Sequence, residues 1–236
     1  MSHKVAIMQP YIFPYIGYFQ LISKVDDFVL YDDIKYTKKG WINRNRLLGQ
    51  NGPMPFTIPI KSNSDSAHIR ERQVSEEFVP DKLLRRFEGA YAKAPHFNAT
   101  MELIELTINM PSDNLFEFIF DALNLTCKHI GLETNILVSS EIADLSTFRG
   151  EARVIETCSN LYASQYVNPL NGKELYDSDN FAKRGIELSF LVPRLRPYDQ
   201  QRPRFTEGLS IIDVLMFNSI DVVRETFLDD GEIIGA

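Results

Sequence analysis

Val5-Ala6-Ile7-Met8-Gln9-Pro10, then Tyr15-Ile16-Gly17-Tyr18-Phe19-Gln20-Leu21-Ile22-Ser23-Lys24, then Phe28-Val29-Leu30-Tyr31 open the chain and decide how it folds. The first run reads as a buried strand ended by Gln9-Pro10. The second reads as a short helix begun after Pro14. The third is a second strand, entered through Asp26-Asp27 and left through Asp32-Asp33. Strand, turn, helix and strand within about 30 residues is the βαβ pattern that implies a parallel sheet. The expected fold is therefore α/β, a Rossmann-like three-layer parallel sheet. Val5 to Ile22 is apolar enough to resemble a membrane span, but it holds Gln9, Pro10, Pro14, Gly17 and Gln20. One prolyl break inside a helix already costs about 3 kcal/mol. No small-residue cleavage site follows either, so the segment belongs to the fold and no membrane insertion is expected.

Outward from this opening, Lys35 to Asn51 reads as a polar, basic stretch around Trp41, closed by Gln50-Asn51-Gly52-Pro53. Phe56 to Ile60 is a short strand pushed to an edge by Pro55 and Pro59, and 62–75 is a polar loop. A helical middle follows at 81–93, 98–109 and 113–130, the last closed by Gly131 as a C-cap. Strands then recur at 135–138, 165–167 and within 185–192, with helices at 151–161 and 209–217. The absence of strands for about 70 residues exceeds what a crossover needs. The expected organisation is one α/β domain over 1–236 with a helical insertion, a subdomain at 78–132.

The 236 residues carry 25 Lys+Arg against 32 Asp+Glu, a net charge of −7, with 24% charged and 11% aromatic residues. This excludes disorder and argues against a nucleic-acid binder, whose domain would be basic. Two cysteines, Cys127 and Cys158, make neither a metal spacing nor a disulfide framework, which fits a cytoplasmic setting. The four histidines share no metal-ligand spacing; His129, at a helix end, reads as a favourable C-terminal charge. Gly-rich phosphate loops, nucleophile elbows and Rossmann glycine fingerprints are missing from the sequence.

Three stretches can carry chemistry. The turn after the first strand offers Gln9, Tyr11, Tyr15, Gly17 and Tyr18 where α/β sheets bind ligands, at the carboxyl ends of strands. Gly17 lets a ligand or another chain segment approach the backbone, and the aromatics can equally be core with their hydroxyls satisfied at the rim. The second stretch is Asp32-Asp33 followed by Lys38, Lys39, Trp41, Asn43, Arg44, Asn45 and Arg46. Adjacent carboxylates point to opposite faces, so at most one faces a pocket, as a general base or a clamp for Arg44. The cations form a basic island suited to phosphate or carboxylate, or a solvated loop over a packed Trp41. The third is the 168–176 turn, with Asn168, Asn171, Gly172 and Tyr176, then the Pro/Arg segment 193–204 and the helix ending in Asn218. Ser210 and Asp213 stand three apart and can form a capping box. Asp213, on an otherwise apolar helix, needs a partner, for which Arg44 or Arg46 is the expected one.

Pro14-Tyr15-Ile16-Gly17-Tyr18 occupies the place where the nucleotidyltransferase superfamily carries a His-x-Gly-His element; tyrosines replace both histidines, so adenylyl-transfer chemistry does not carry over. The fuller resemblance is to the WbqC-like family. It rests on Ile7-x-Gln9-Pro10-x-x-x-Pro14-x-x-Gly17-Tyr18-Phe19, Asp27-x-x-x-x-Asp32-Asp33, Lys39-Gly40-Trp41-Ile42-Asn43-Arg44-Asn45-Arg46 and Leu209 to Asn218, four blocks in order across about residues 5–220. The resemblance implies a protein of bacterial surface-polysaccharide biosynthesis (O-antigen lipopolysaccharide or capsule), a transferase moving a glycyl or related acyl group onto a nucleotide-linked amino sugar. It implies no resident cofactor or metal, only a nucleotide-sugar or activated acyl donor as substrate. The resemblance carries over the motif positions as site residues only; from their chemistry, Arg44 and Arg46 are expected to bind phosphate, Tyr11 and Trp41 to stack on rings, and Asp33, with Asp32 beside it, to be the general base. An ATP-dependent ligase or nucleotidyltransferase-like enzyme, and a non-catalytic assembly factor pairing with a glycosyltransferase or as a homodimer, are the other two readings. Gln9, the Asp32-Asp33 pair, the Trp41–Arg46 segment and the 168–176 turn all follow predicted strands and are expected to converge on one sheet edge.

Overall fold

The computed structural model describes residues 2–236. In chain order the elements are β1 (Lys4–Met8), α1 (Ile16–Ser23), β2 (Asp27–Leu30), β3 (Arg44–Gly49), β4 (Gly52–Thr57), α2 (Pro80–Tyr91), α3 (Phe97–Ile108), α4 (Leu115–His129), β5 (Asn135–Val138), α5 (Ser139–Ile142), α6 (Gly150–Asn160), β6 (Gln165–Pro169), α7 (Ser178–Ala182), β7 (Glu187–Val192), α8 (Ile211–Phe217), α9 (Ile220–Val222) and β8 (Glu232–Gly235).

Six strands form the main sheet in the order β5-β2-β1-β6-β7-β8. β1 and β2 run parallel, with Val5 opposite Asp27 and Met8 opposite Leu30, so the opening βαβ unit forms as its apolar runs predict. The other pairs are parallel except β7 with β8, which is antiparallel. The fold is thus the expected Rossmann-like α/β, with an antiparallel edge strand added.

Alternation along the strands explains the three layers. Val5 and Ile7 of β1, Val29 of β2 and Phe190 of β7 pack with Val154, Ile155 and Cys158 of α6 and Phe181 of α7. Ala6, Phe28, Leu30 and Leu191 face the other way, into a larger cluster with α1, the helical middle and α8. A sheet covered on both faces leaves no room for polar alternation, which is why its strands read as apolar runs. The three middle helices start and end within a few residues of the predicted bounds. Asn114 caps α4, accepting from the backbone of Phe116 (2.8 Å) and Glu117 (3.2 Å), and Gly131 follows it at φ +73°. Their inward side chains, Phe87, Ile104 and Ile119 among them, join the same cluster as Leu30 and Phe28.

Three expectations change. The basic stretch 44–49 is a strand, not a loop: β3 pairs antiparallel with β4 from Arg44 opposite Thr57 to Gly49 opposite Gly52, as a two-stranded ribbon outside the main sheet. Its signal was masked because both strands carry prolines or charges where propensity scales expect β-branched residues. The chain after Phe217 also forms structure that its polar composition does not announce, a helical segment over 220–228, π-helical from Val223, followed by β8. Burial holds the His129 ring below its ordinary pKa, so desolvation opposes the helix-end charge expected there.

Asp213 is fully buried on α8, and its partner is neither Arg44 nor Arg46. Its carboxylate accepts hydrogen bonds from Tyr91 (3.0 Å), Tyr198 (2.5 Å) and Gln200 (2.6 Å). Tyr91 in turn accepts from the backbone N–H of Leu48 at 2.9 Å, so one carboxylate ties α2, β3 and the 198–200 segment to α8. Desolvation without a countercharge raises the Asp213 pKa despite these three donors. The native state therefore binds this proton more tightly than the unfolded chain does. Asp213 detracts from stability as pH rises from the unfolded carboxylate range toward its raised native value, and the penalty is constant above that. Chemical denaturation at pH 4 and pH 7 should show wild type losing ground to Asp213→Asn as pH rises; an unchanged difference between the two proteins would show the carboxylate to be unshifted.

Candidate functional site

The strand order reverses direction beside β1. The chain goes outward from β1 to β2 and β5, then returns to the other side of β1 at β6. Such a switch point leaves a crevice at the carboxyl ends of the two strands, where α/β proteins bind ligands. A cleft of about 340 Å³ lies there, against Met8 at the end of β1 and Pro169 at the end of β6. Its walls include Tyr11 and Tyr15 from the turn after β1, Trp41, Asn45 and Arg46 from the approach to β3 and β3 itself, and Asn171.

Three segments distant in sequence hold this cleft through buried polar bonds. The turn after β1 places Phe13 at φ 43°, a left-handed conformation unusual for a bulky residue. Its carbonyl accepts from Asn45 Nδ2 (2.6 Å) and from Ser210 Oγ (2.8 Å). Asn45 also reaches the Ile12 carbonyl at 3.0 Å, and the Ile211 N–H reaches that of Pro14 at 2.8 Å. The Ser210 N–H donates to the carbonyl of Arg46 at 3.0 Å, and its Oγ accepts from Ile212 N at 3.2 Å. Ser210 therefore caps α8, while Asp213 turns to the tyrosines instead of closing the expected box.

Trp41 is 40% exposed, with the guanidinium carbons of Arg46 and Arg44 5.0 and 5.6 Å from its ring centre. Arg44 is committed locally, its Nε donating to the Gly40 carbonyl at 2.8 Å and an Nη to that of Lys39, whose own side chain is exposed. Arg46 gives one Nη to the Gly208 carbonyl at 2.8 Å, and its buried Nε has no partner among the described residues. The hydroxyls of Tyr11 and Tyr15 are pushed above the ordinary tyrosine pKa by burial, so both are neutral hydrogen-bonding groups.

The remaining predicted positions serve the walls. Tyr18 is core, and its hydroxyl donates to the Gln9 carbonyl at 2.8 Å. A Cβ on Gly17 would come within 2.8 Å of the Tyr15 ring and 2.9 Å of Pro193, so the close approach there is by the chain itself. Asn43 is buried between Tyr36 and the Ile58 carbonyl. Asn168 accepts from Tyr166 at 3.1 Å, and its amide occupies the space a side chain on Gly172 would need. Tyr176 packs against Tyr166 and Phe181, and Asn218 closes α8 on the Val214 carbonyl. In the Pro/Arg segment, Arg194 pairs with Glu232 (2.9 Å) and Arg196 with Asp230 (2.7 Å).

The Asp32-Asp33 pair stands apart from this cleft, at the end of β2. Asp32 is buried and accepts from Ser139 Oγ (2.9 Å), Ser140 N (3.0 Å) and Ser140 Oγ (2.7 Å). Asp33 faces a second cavity and is paired with Arg153 of α6, not with Arg44. Burial pushes its pKa up, but the bonds from Ser139 and Arg153 and the Arg153 charge outweigh that and leave the carboxyl below its ordinary value. The strand ends thus share one edge but open into two cavities. Arg153, Ser139 and Ser140 escape a reading by motif, because each comes to the aspartates from more than 100 residues away.

Residues 9–225 match the WbqC-like protein family. The chain belongs to that family. A relative, an uncharacterized protein of Mycobacterium tuberculosis, is 31% identical over 220 residues, covering 91% of this chain and 93% of its own. Among the described residues no helix is long and apolar enough to cross a membrane, and no group of three or more His, Cys, Asp or Glu is placed to hold a metal ion. Burial lifts the Cys127 and Cys158 thiols to about 12, which makes them packing groups rather than nucleophiles at neutral pH.

The Phe13 carbonyl is the test of the cleft's construction. Asn45→Ala removes the side-chain donor to the buried Ile12 carbonyl and one of the two donors to that of Phe13, and should cost about 1–3 kcal/mol of stability. Ser210→Ala removes a cap and a buried bond and should cost about as much. Urea denaturation measures both, and a loss below about 0.5 kcal/mol in each would show that these bonds do not hold the turn.

Proposed function

We propose that this WbqC-like protein is a transferase of bacterial surface-polysaccharide biosynthesis, which moves a glycyl or related acyl group onto a nucleotide-linked amino sugar. The observation that carries the reading is the pairing of an exposed Trp41 with Arg46 in the switch-point cleft. An aromatic plane suits a base or a sugar ring. A guanidinium with an unused, desolvated N–H suits a phosphate oxygen. Tyr11, Tyr15 and Asn171 supply neutral hydrogen-bonding groups for sugar hydroxyls.

Acyl transfer to an amine forms an N–C bond, breaks the bond from the acyl carbon to its carrier and releases one proton from nitrogen. We assign that proton to Asp33: the strand ends share one edge, so a sugar whose nucleotide is held at Trp41 and Arg46 presents its amine into the cavity at the end of the neighbouring strand. The ion pair with Arg153 keeps its carboxyl ionised at neutral pH but makes it a weak base. It can therefore accept the proton as the new N–C bond forms, when the nitrogen has become strongly acidic.

The reading is tested by thermal stability with UDP- and dTDP-linked amino sugars, and with ATP in the presence and absence of Mg²⁺. A ligand at 100 times its Kd adds about 2.7 kcal/mol of stability. The expected result is a shift with the amino sugars that disappears in Trp41→Ala and Arg46→Gln. A Mg²⁺-dependent shift with ATP alone would replace the transferase by a ligase, and no shift with any of them would favour a protein partner.

Once turnover can be followed, Asp33→Asn should lower kcat by about 100-fold or more, the usual weight of a general base. Full activity in that variant would remove Asp33 from the chemistry.

A further inference from the structure

The cavity in front of Asp33 has a construction of its own. It encloses about 590 Å³ beyond the ends of β2 and β5, and Arg153, Arg149, Arg70 and Lys35 line it with Asp33 and Asp144. Four cations against two carboxylates is an inversion of the balance of a chain whose net charge is −7. Asp32, beneath it, is already satisfied by the two serines, and Arg70 stands 3.8 Å from it.

Two independent features make this more than a charged surface. The first is the start of α6, an 11-residue helix whose N-cap, Arg149, supplies no side-chain cap. Its first-turn acid does not fold back either, because Glu151 is engaged by Asp177 N (2.5 Å) and Asn180 Nδ2 (2.7 Å). An uncapped helix start presents free N–H groups and the positive end of the helix dipole. The second is Arg153 in that first turn. Its side chain is only 8% exposed, one Nη is given to Asp33, and its buried Nε has no partner among the described residues. A desolvated guanidinium N–H without an acceptor is costly unless something supplies one.

We propose that this cavity is a second anion site, which takes the phosphoryl group of a ligand beside the N-terminus of α6, with Arg153 as its buried donor and, as its outer clamps, Arg70 and Arg149, whose other Nη serves the Ser146 and Phe148 carbonyls. Guanidinium and ammonium groups arriving from separate segments, with the positive end of the α6 dipole beside them, suit a tetrahedral, doubly charged group better than a planar carboxylate, which one guanidinium can satisfy alone. The assignment stands on this cavity's own residues, whatever the switch-point cleft binds.

The test is calorimetric titration of the full-length protein with pyrophosphate and with inorganic phosphate, against sodium chloride at matched ionic strength. Saturable one-site binding is expected for at least one of them. It should weaken by about tenfold in Arg149→Ala, and further in Arg149→Ala/Arg70→Ala, because each removes a charged hydrogen bond. It should persist in Trp41→Ala. Binding by pyrophosphate alone would identify a diphosphate ester as the source, and binding by both a simple phosphate. Arg153→Gln would leave Asp33 buried without its cation and can fail to fold, so the exposed arginines carry the test. The absence of saturable heat, binding indifferent to both arginines, or binding lost in Trp41→Ala but kept in Arg149→Ala would each overturn the proposal.

Discussion

The Phe13 carbonyl is where the cleft depends on the rest of the molecule. It belongs to a turn forced into left-handed backbone, and it accepts from two side chains, Asn45 and Ser210, that lie 32 and 197 residues away in the chain. Strain of this kind persists only when the surroundings over-determine it. Here they do, since the turn also hangs on the Ile12–Ile42 and Pro14–Ile211 backbone bonds. Tyr11 and Tyr15 owe their positions in the cleft wall to those four anchors.

The same solution recurs at each buried polar group that builds the edge of the sheet. Asp213 is satisfied by three neutral donors, and Asp32 by two serines and a backbone N–H. The arginine Nε atoms are the exception. Those of Arg46 and Arg153 are buried and unpaired within two residues that line the cavities, while that of Arg72, also unpaired, belongs to a guanidinium stacked on Tyr36 at 4.8 Å. Among the described residues these three are the only buried side-chain nitrogen or oxygen atoms without a partner, and the two that belong to cavity-lining arginines mark where ligand oxygens are wanted.

Much of this was legible from local sequence. The βαβ opening, the three middle helices with their caps and the strand at 135–138 follow from apolar runs, periodicity and Gly or Asn punctuation, all of which act within a few residues. β3 was not, and β4 (Gly52–Thr57) runs earlier than the strand expected over 56–60, because Arg44, Arg46, Pro53 and Pro55 are poor strand formers that pair only as a ribbon outside the main sheet. β8 was hidden for a related reason, as an edge strand is recruited by its neighbour β7 more than by its own composition.

For the site, the sequence alone determined the family, the switch-point turn and the residue types gathered at the strand ends, since motif blocks and strand-end positions are properties of the linear chain. Only the tertiary structure decided their division. It made Asn43, Asn45 and Ser210 into struts, gave Asp213 to the tyrosines, and set Asp33 against Arg153 in a cavity separate from Trp41 and Arg46. Partner choice of this kind is fixed by which strands lie adjacent and which helix start abuts them, and that order is a property of the packed sheet, not of any one segment.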